Sequence, residues 1–184
     1  FDLKQSLNFI KKIKSLSREK VKSFNFDAVE SCKSLQDIIS QINYKIHDLE
    51  KIKSVKLKKF LNSRLKPIYL NLSKKSKLSK MFKMFYQPIK ENLEILSPSD
   101  FGFHNSIKFS KKIYFIDFEY FGIDDPVKLV IDFILHPGMS LKAEIKKKWI
   151  KENFRIFSDD KNFKKRLNFL IPFFAIRWAL IVLN

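Results

Sequence analysis

Three oxygen-bearing side chains make residues 96–125 the part of this chain that could do chemistry. Asp100 is followed by Asn105 and, twelve residues further on, by Asp117. Carboxylate and amide oxygens are the ligands with which proteins usually hold Mg²⁺, while water and nucleotide phosphates fill the remaining positions. If the fold brings these side chains together, the pattern predicts a hard-cation site of the kind that holds Mg²⁺ on a nucleotide.

A β-hairpin is the element that would bring these side chains together. Residues 106–109 and 113–118 are short β-branched and aromatic runs separated by three polar residues, which is typical of a hairpin. Asn105 enters the first run and Asp117 leaves the second. Antiparallel pairing places the start of one strand beside the end of its partner. We therefore expect Asn105 and Asp117 to meet, with Asp100 in the loop beside them.

The sequence of this region resembles those of a known family of phosphotransferases. The pattern D-x-x-x-x-N from Asp100 to Asn105, followed by D-F at Asp117, resembles the catalytic loop and metal-binding segment of protein-kinase-like enzymes. Residues 116–126, IDFEYFGIDDP, are similar to the aminoglycoside phosphotransferase and choline kinase branch. Together with residues 97–105, SPSDFGFHN, they resemble a bacterial subgroup of that branch.

The resemblance implies an ATP- and Mg²⁺-dependent phosphotransferase that acts on a hydroxyl of a small molecule. The acceptor would be a sugar, an amino alcohol or a glycoconjugate precursor. Asp100 would be the catalytic base that accepts or orients the proton of the attacking hydroxyl. Asn105 and Asp117 would hold the Mg²⁺ that bridges the nucleotide phosphates.

Three further acidic residues have supporting roles in this interpretation. Asp132 lies in an otherwise apolar helix, and a buried carboxylate needs hydrogen-bond donors. It either clamps the backbone of the catalytic loop, as in kinase-like folds, or forms a salt bridge with a lysine. Asp125 precedes Pro126 and is predicted to cap a helix. Glu119 either assists the metal or substrate or pairs with a neighbouring lysine.

The chain departs from the family pattern in several places. Residues 98–100 read P-S-D where H-G-D is usual, and Gly102 stands where a histidine is common. No glycine-rich loop or sheet is indicated before Asp100, so the N-terminal nucleotide lobe of the family is expected to be absent from this chain. His104 and His136 lack the spacing of a zinc site, and we expect them to serve packing or loop structure.

The remaining sequence predicts helices. Apolar residues recur at helical spacing over residues 35–49, with Ser34 as the N-cap and Asp37 completing a capping box. One helix is predicted to end before Pro67 and another before Pro88.

The predicted fold class is therefore mainly α with a small β-hairpin, the helical C-terminal lobe of a protein-kinase-like phosphotransferase. Further helices are expected after Asp125, over residues 141–157 and over residues 161–183, the last capped by Asp159 or Asp160. We predict a single domain. Its parts are a helical part (1–95), a catalytic loop with a metal-binding hairpin (96–125) and C-terminal helices (126–184).

The formal net charge of +18 raises a rival interpretation. Residues 51–90 contain thirteen Lys or Arg residues and no acid, which could suit a nucleic acid or an anionic membrane. Lysine predominates there and no recognition motif is present, and arginine is the better phosphate reader. We interpret the segment as a solvated surface. Two alternatives to the phosphotransferase function remain: a pseudokinase or scaffold of the same fold, and a basic helical protein that binds nucleic acid or an anionic membrane.

The compartment is predicted to be the cytoplasm. The single cysteine, Cys32, excludes an internal disulfide and suits a reducing environment. No secretion signal is visible at the start. Pro172 and Arg177 interrupt the longest apolar stretch, residues 167–183, which favours a buried helix over a membrane span.

Overall fold

The apolar stripes of the sequence become helices in the computed structural model, which describes residues 2–20 and 26–183. The helices are α1 (Asp2–Lys20), α2 (Leu35–Lys51), α3 (Val55–Phe60), α4 (Lys66–Lys77), α5 (Lys80–Phe85), α6 (Pro126–Leu135), α7 (Ala143–Ile156) and α8 (Phe163–Val182). The strands are β1 (Ile95–Ser97), β2 (Ser106–Phe109), β3 (Lys112–Phe115) and β4 (Gly122–Asp124). The protein is therefore mainly helical with two small antiparallel sheets.

Side-chain caps start two of the helices where the sequence predicts them. The Ser34 hydroxyl accepts a hydrogen bond from the Asp37 backbone N–H at 3.0 Å, and the Asp37 carboxylate accepts one from the Lys33 N–H at 3.0 Å. At α6, Asp125 accepts from the Val127 N–H at 2.8 Å, and Pro126 takes the first helical position. Such caps satisfy backbone donors that the first turn leaves unpaired.

The predicted helix end before Pro67 is wrong. A π-helical turn, Leu61–Leu65, joins α3 to α4, so one helical run passes through the proline. Proline lacks an N–H and its ring clashes with a carbonyl of the preceding turn. The wider turn, closed by the Lys66 N–H on the Leu61 carbonyl, makes room for the ring without breaking the helix.

Helix α8 organises the core because it packs against both α2 and α6. Trp149 of α7 is fully buried against this layer and donates its indole N–H to the Val130 carbonyl at 3.0 Å. The predicted cap of α8 is wrong in position. Asn162 is the N-cap, and Asp160 accepts from the Asn162 backbone N–H at 2.8 Å.

The hairpin forms as predicted, although its second strand is shorter. Ser106 pairs with Phe115 and Phe109 pairs with Lys112. The turn residues Ser110 and Lys111 have φ values of 45° and 64°, as the twist of a two-residue hairpin turn requires. The second strand ends at Phe115, three residues before the predicted end at residue 118.

A second small sheet forms in addition to the hairpin and was not predicted. Strand β1 pairs with β4, with Leu96 opposite Ile123, and Asp27 adds a parallel bridge to Ile123. A strand therefore does precede Asp100, contrary to the expectation from sequence. Gly122 is required for this approach, because a Cβ there would lie 2.3 Å from the backbone nitrogen of Ala28.

Of the helices within residues 2–20 and 26–183, none combines the length and apolar character needed to cross a membrane. Helix α8 contains the longest apolar stretch, but Pro172 lies inside it. It also carries two buried guanidinium groups, those of Arg166 and Arg177.

Candidate functional site

The hairpin places the two predicted cation ligands at one of its ends. The backbone N–H of Ile116 donates to the Asn105 carbonyl at 3.0 Å, and Asp117 is the next residue along the chain. The Asp117 side chain is exposed, and its φ of 63° lies in the left-handed region. That conformation is rare for residues other than glycine and concentrates at functional sites.

Asp100 is joined to this end of the hairpin through Asn105. The Asn105 amide nitrogen donates to the main-chain oxygen and to Oδ2 of Asp100, both at 3.0 Å. Both amide protons are thereby directed at Asp100, which leaves the Asn105 amide oxygen as the atom able to ligate a cation. Amide and carboxylate oxygens are the hard ligands that Mg²⁺ prefers.

Two histidines also converge on Asp100, and the sequence analysis missed them. His104 Nε2 lies 3.0 Å from Asp100 Oδ1, and His136 Nε2 lies 3.7 Å from the same oxygen. The two imidazole rings are stacked with their centroids 3.8 Å apart and nearly parallel, at 3°. The expected packing or loop roles fit these contacts, but the sequence did not identify Asp100 as the shared partner, since spacing says nothing about loops that meet across the fold.

A backbone hydrogen bond shows which proton the His136 ring presents. His136 Nδ1 accepts from the Gly138 N–H at 3.1 Å, so a neutral His136 carries its proton on Nε2, facing Asp100. Among the described residues, Asp100, His104 and His136 are the one cluster of three groups with the spacing of metal ligands. A ring that donates from Nε2 suits a carboxylate brace better than a metal ligand.

Gly102 makes the approach of His104 possible. A Cβ at Gly102 would lie 2.6 Å from His104 Nδ1 and 2.7 Å from Met139 Sδ. Gly102 stands at the position where the resemblance leads one to expect a histidine. In this chain the glycine instead lets His104, two residues later, fold back onto Asp100.

Ser99 holds the loop in an unusual conformation just before Asp100. Its φ is 61°, its N–H donates to Ser97 Oγ at 3.1 Å, and its hydroxyl donates to the Val29 carbonyl at 3.3 Å. The family pattern has glycine at this position. Among the described residues, six that are not glycine adopt positive φ, and Glu30, Ser99 and Asp117 of these lie at this site.

A pocket of about 390 Å³ opens beside Asp100. This volume is within the range of about 300–1,000 Å³ typical of small-molecule sites. Its walls come from distant parts of the chain and include Glu30, Lys45, Tyr120, Lys128, Arg177 and Trp178.

Buried ion pairs form the floor of this pocket. Lys128 Nζ lies 2.9 Å from Asp132 and 3.6 Å from Asp124, and it donates to the Ser99 hydroxyl at 3.3 Å. Burial acts to lower the pKa of Lys128, but the charges of Asp132 and Asp124 outweigh it and raise that pKa. Burial raises the pKa of Asp124 to about 6 against the attraction of Lys128. Lys128 is therefore a fixed cation under the loop that contains Ser99.

Asp132 forms a salt bridge with a lysine, as one of its two predicted roles requires. In the described contacts it is connected to the loop before the hairpin through that lysine, Lys128. Its Oδ2 pairs with Lys128, which in turn contacts Ser99. Its Oδ1 accepts the indole N–H of Trp178 at 2.7 Å and lies 3.9 Å from Arg177. Asp132 therefore ties the helices of the pocket floor together.

The other two supporting residues differ in their surroundings. Asp125 is buried, and its carboxylate accepts two hydrogen bonds from Arg166, at 2.7 and 2.9 Å. Glu119 is exposed. The pKa of Tyr120 is raised, chiefly by a hydrogen bond and the charge of Glu119 and less by Asp117 and Asp100. Glu119 therefore borders the site through Tyr120, and its described contact is not a lysine.

Four segments thus meet around Asp100: the loop before the hairpin, the hairpin end, the turn after α6 and the last turns of α8. A lone charge in an apolar run was the available signal for Arg177, and the i,i+4 spacing from Asp132 was the available signal for Lys128. The chain matches no protein-family model and no curated protein.

Proposed function

We propose that this chain is the helical lobe of an ATP- and Mg²⁺-dependent phosphotransferase of the protein-kinase-like type, and that it phosphorylates a hydroxyl of a small molecule. The observation that carries the proposal is the grouping of three polar residues at one end of the hairpin. The Asp100 carboxylate accepts from the Asn105 amide, and Asp117 follows the residue whose N–H donates to the Asn105 carbonyl. Asp100 also lines a pocket. In this proposal Asp100 is the base. Asn105 and Asp117 supply the oxygens that hold Mg²⁺, which neutralises phosphate charge when bound.

The surroundings of Asp100 suit a base whose carboxylate is held in one orientation. Oδ1 faces His104 and Oδ2 accepts from Asn105, while the side chain remains about one-third exposed at the pocket. Each carboxylate oxygen has two lone pairs, so a lone pair remains to receive the proton of the attacking hydroxyl. A base fixed in this way needs little reorganisation when the hydroxyl attacks.

The proposed reaction transfers the γ-phosphoryl group of ATP to the acceptor hydroxyl. The acceptor oxygen uses a lone pair to form a bond to the γ-phosphorus of ATP, and the bond from that phosphorus to the β,γ-bridging oxygen breaks. The electron pair of the broken bond stays with ADP. The acceptor proton passes to Asp100 and then to solvent.

An exposed apolar face on the hairpin supports a place for the nucleobase. Ile107, Phe109, Tyr114 and Ile116 alternate along β2, β3 and the residues that follow, so their side chains share one face. All four are between 43% and 69% exposed. A contiguous exposed apolar patch commonly marks a binding site. In sequence, this face ends next to Asn105 and Asp117.

The proposal is tested with two isosteric substitutions in the full-length gene product, assayed for ADP release with pooled sugars and amino alcohols. Asp100→Asn should lower kcat by about 10²–10⁴-fold with little change in the Kd for Mg·ATP. Asp117→Asn should weaken Mg·ATP binding as well. Glu91→Gln, at an exposed acid outside the site, is the matched control and should change neither. Unaltered turnover in Asp100→Asn would refute the assignment of the base.

A further inference from the structure

Three large apolar side chains are exposed on the lysine-rich surface of α4 and α5. Leu70 is 64% exposed, Leu78 is 86% exposed and Met84 is 52% exposed. They lie within residues 51–90, the segment that contains no acid. A solvated surface accounts for the lysines of this segment, but apolar side chains gain free energy when a partner removes them from water.

Leucine and lysine share one side of α4. Four residues of the helix and its C-cap occupy positions i, i+4, i+7 and i+8: Leu70, Lys74, Lys77 and Leu78. Positions with this spacing lie on the same side of a helix. All four residues are exposed, whereas Tyr69 of the same helix is buried. The two leucines therefore share a solvent-facing surface with two ammonium groups.

The same arrangement continues in α5. Lys80, Lys83 and Met84 are exposed at positions i, i+3 and i+4, while Phe85 is buried. We call the exposed residues of both helices the basic face: Leu70, Lys74, Lys77, Leu78, Lys80, Lys83 and Met84.

The charges of the basic face are uncompensated within the part of the chain that the structure describes. Two lysines of residues 51–90 form ion pairs, Lys51 with Asp48 and Lys66 with Glu50, and both lie outside the basic face. The lysines of the basic face itself have no carboxylate partner among the described residues. Exposed charges of one sign, without counter-charges, attract a surface of the opposite sign.

The composition of the basic face differs from that of nucleic-acid and protein interfaces. Arginine is the better bidentate reader of phosphates, and single-stranded nucleic acids stack their bases on aromatic rings. The cores of protein–protein interfaces are enriched in aromatic residues and arginine and depleted in lysine. The basic face contains four lysines but neither an arginine nor an aromatic residue.

An anionic lipid surface is complementary to both kinds of side chain on the basic face. Ammonium groups interact with lipid phosphates, while the aliphatic stems of lysine lie along apolar surface. Leucine and methionine side chains enter the boundary between headgroups and acyl chains when a helix lies in the plane of the interface. Helix α4 can lie in this way because its opposite side packs on the protein.

We infer that the basic face binds the surface of an anionic phospholipid membrane. The lysines supply attraction to the headgroups, and Leu70, Leu78 and Met84 supply apolar contact at the acyl boundary. This inference goes beyond the proposed function and does not depend on it, because it concerns contacts between the folded chain and lipid alone.

The test is cosedimentation of the purified protein with lipid vesicles at physiological salt. One set of vesicles contains phosphatidylcholine alone, and the other contains phosphatidylcholine and phosphatidylglycerol in equal amounts. Binding to the mixed vesicles should be about 10-fold or more stronger than binding to phosphatidylcholine, and it should weaken as salt is added. Equal binding to both vesicles, or no binding to either, would overturn the inference.

Two triple variants of equal net charge show whether the basic face is responsible. Lys74→Gln/Lys77→Gln/Lys83→Gln should weaken binding to the mixed vesicles by about 100-fold, or about fivefold for each lysine. The control removes three exposed lysines of α7, with the substitutions Lys147→Gln, Lys148→Gln and Lys151→Gln. It should weaken binding by less than about threefold, because those charges lie outside the basic face. Equal weakening by the two variants would show that net charge, and not the basic face, binds the vesicles.

A variant without the two leucines tests the apolar contribution. Leu70→Ser/Leu78→Ser keeps every charge and should weaken vesicle binding by about 10-fold. Unchanged binding would contradict the assigned role of the leucines. Circular dichroism verifies that all the variants are folded. Displacement of the protein from the mixed vesicles by duplex DNA at about 10⁻⁶ M would assign the basic face to nucleic acid and overturn the inference.

Discussion

Replacement of Asp125 by alanine should remove a large part of the stability of the protein. The Asp125 carboxylate is 1% exposed; it accepts from the Val127 N–H at 2.8 Å and from two nitrogens of Arg166 at 2.7 and 2.9 Å. Breaking a buried ion pair by removing one partner costs about 3–5 kcal/mol, and loss of an N-cap costs about 1 kcal/mol. Asp160 remains 2.8 Å from Arg166 and compensates in part, so we expect a loss of about 4 kcal/mol in total.

A serine at the same position separates the two contributions. Asp125→Ser keeps an oxygen that can cap α6 but removes the carboxylate, so it should cost about 1 kcal/mol less than Asp125→Ala. The double variant Asp125→Ser/Arg166→Met removes both charges. It should be more stable than the single serine variant, because no guanidinium is left buried with half of its partners.

Urea unfolding followed by far-ultraviolet circular dichroism measures these differences. Because whole domains are stable by only about 5–15 kcal/mol, Asp125→Ala should unfold at a markedly lower urea concentration than the wild type. A cost below about 1 kcal/mol is the value of an exposed ion pair. That result would refute the buried, bidentate pairing from which the magnitude is derived.

Two further predictions concern pH and charge. The pKa of His136 lies below its ordinary value because burial disfavours the charged ring and His104 repels it, against the attraction of Asp100 and Asp132. The unfolded chain therefore binds more protons, so the free energy of unfolding should fall as the pH drops below about 6.5. Between about pH 7.5 and 5.5, His136→Gln should lose less stability than the wild type. Equal losses for the two proteins in urea titrations would contradict this. Residues 51–90 should bind duplex DNA no more tightly than about 10⁻⁶ M at physiological salt, and a tighter Kd by fluorescence anisotropy would show that they form a polyanion site.

Local signals account for what the sequence predicts well. The caps at Ser34 and Asp125 and the hairpin between Asn105 and Asp117 each depend on residues close together in the chain. Their geometry follows from backbone donors that need acceptors and from the alternation of strand side chains. Pro67 shows the limit, because a single π-helical turn allows the helix to continue where a local rule predicts an end.

Non-local contacts account for what the sequence does not reveal. His104 and His136 meet only because the turn after α6 packs on the loop before β2. Arg177 stands alone in an apolar run, which indicates that it needs a buried partner. It does not indicate which partner, since Arg177 reaches Glu30 and Gln41 across most of the chain.

The span of that last contact also bears on the order of folding. Glu30 and Arg177 are separated by 147 residues in sequence, and contacts of such separation are penalised by loop-closure entropy until the intervening chain is ordered. The hairpin with Asn105 and Asp117 needs only a short loop and can form early. The pocket beside Asp100 can form only when the end of α8 docks on α2. A ligand bound in the pocket would contact both α8 and parts of the chain that can fold earlier. Its binding free energy would therefore stabilise α8 against fraying.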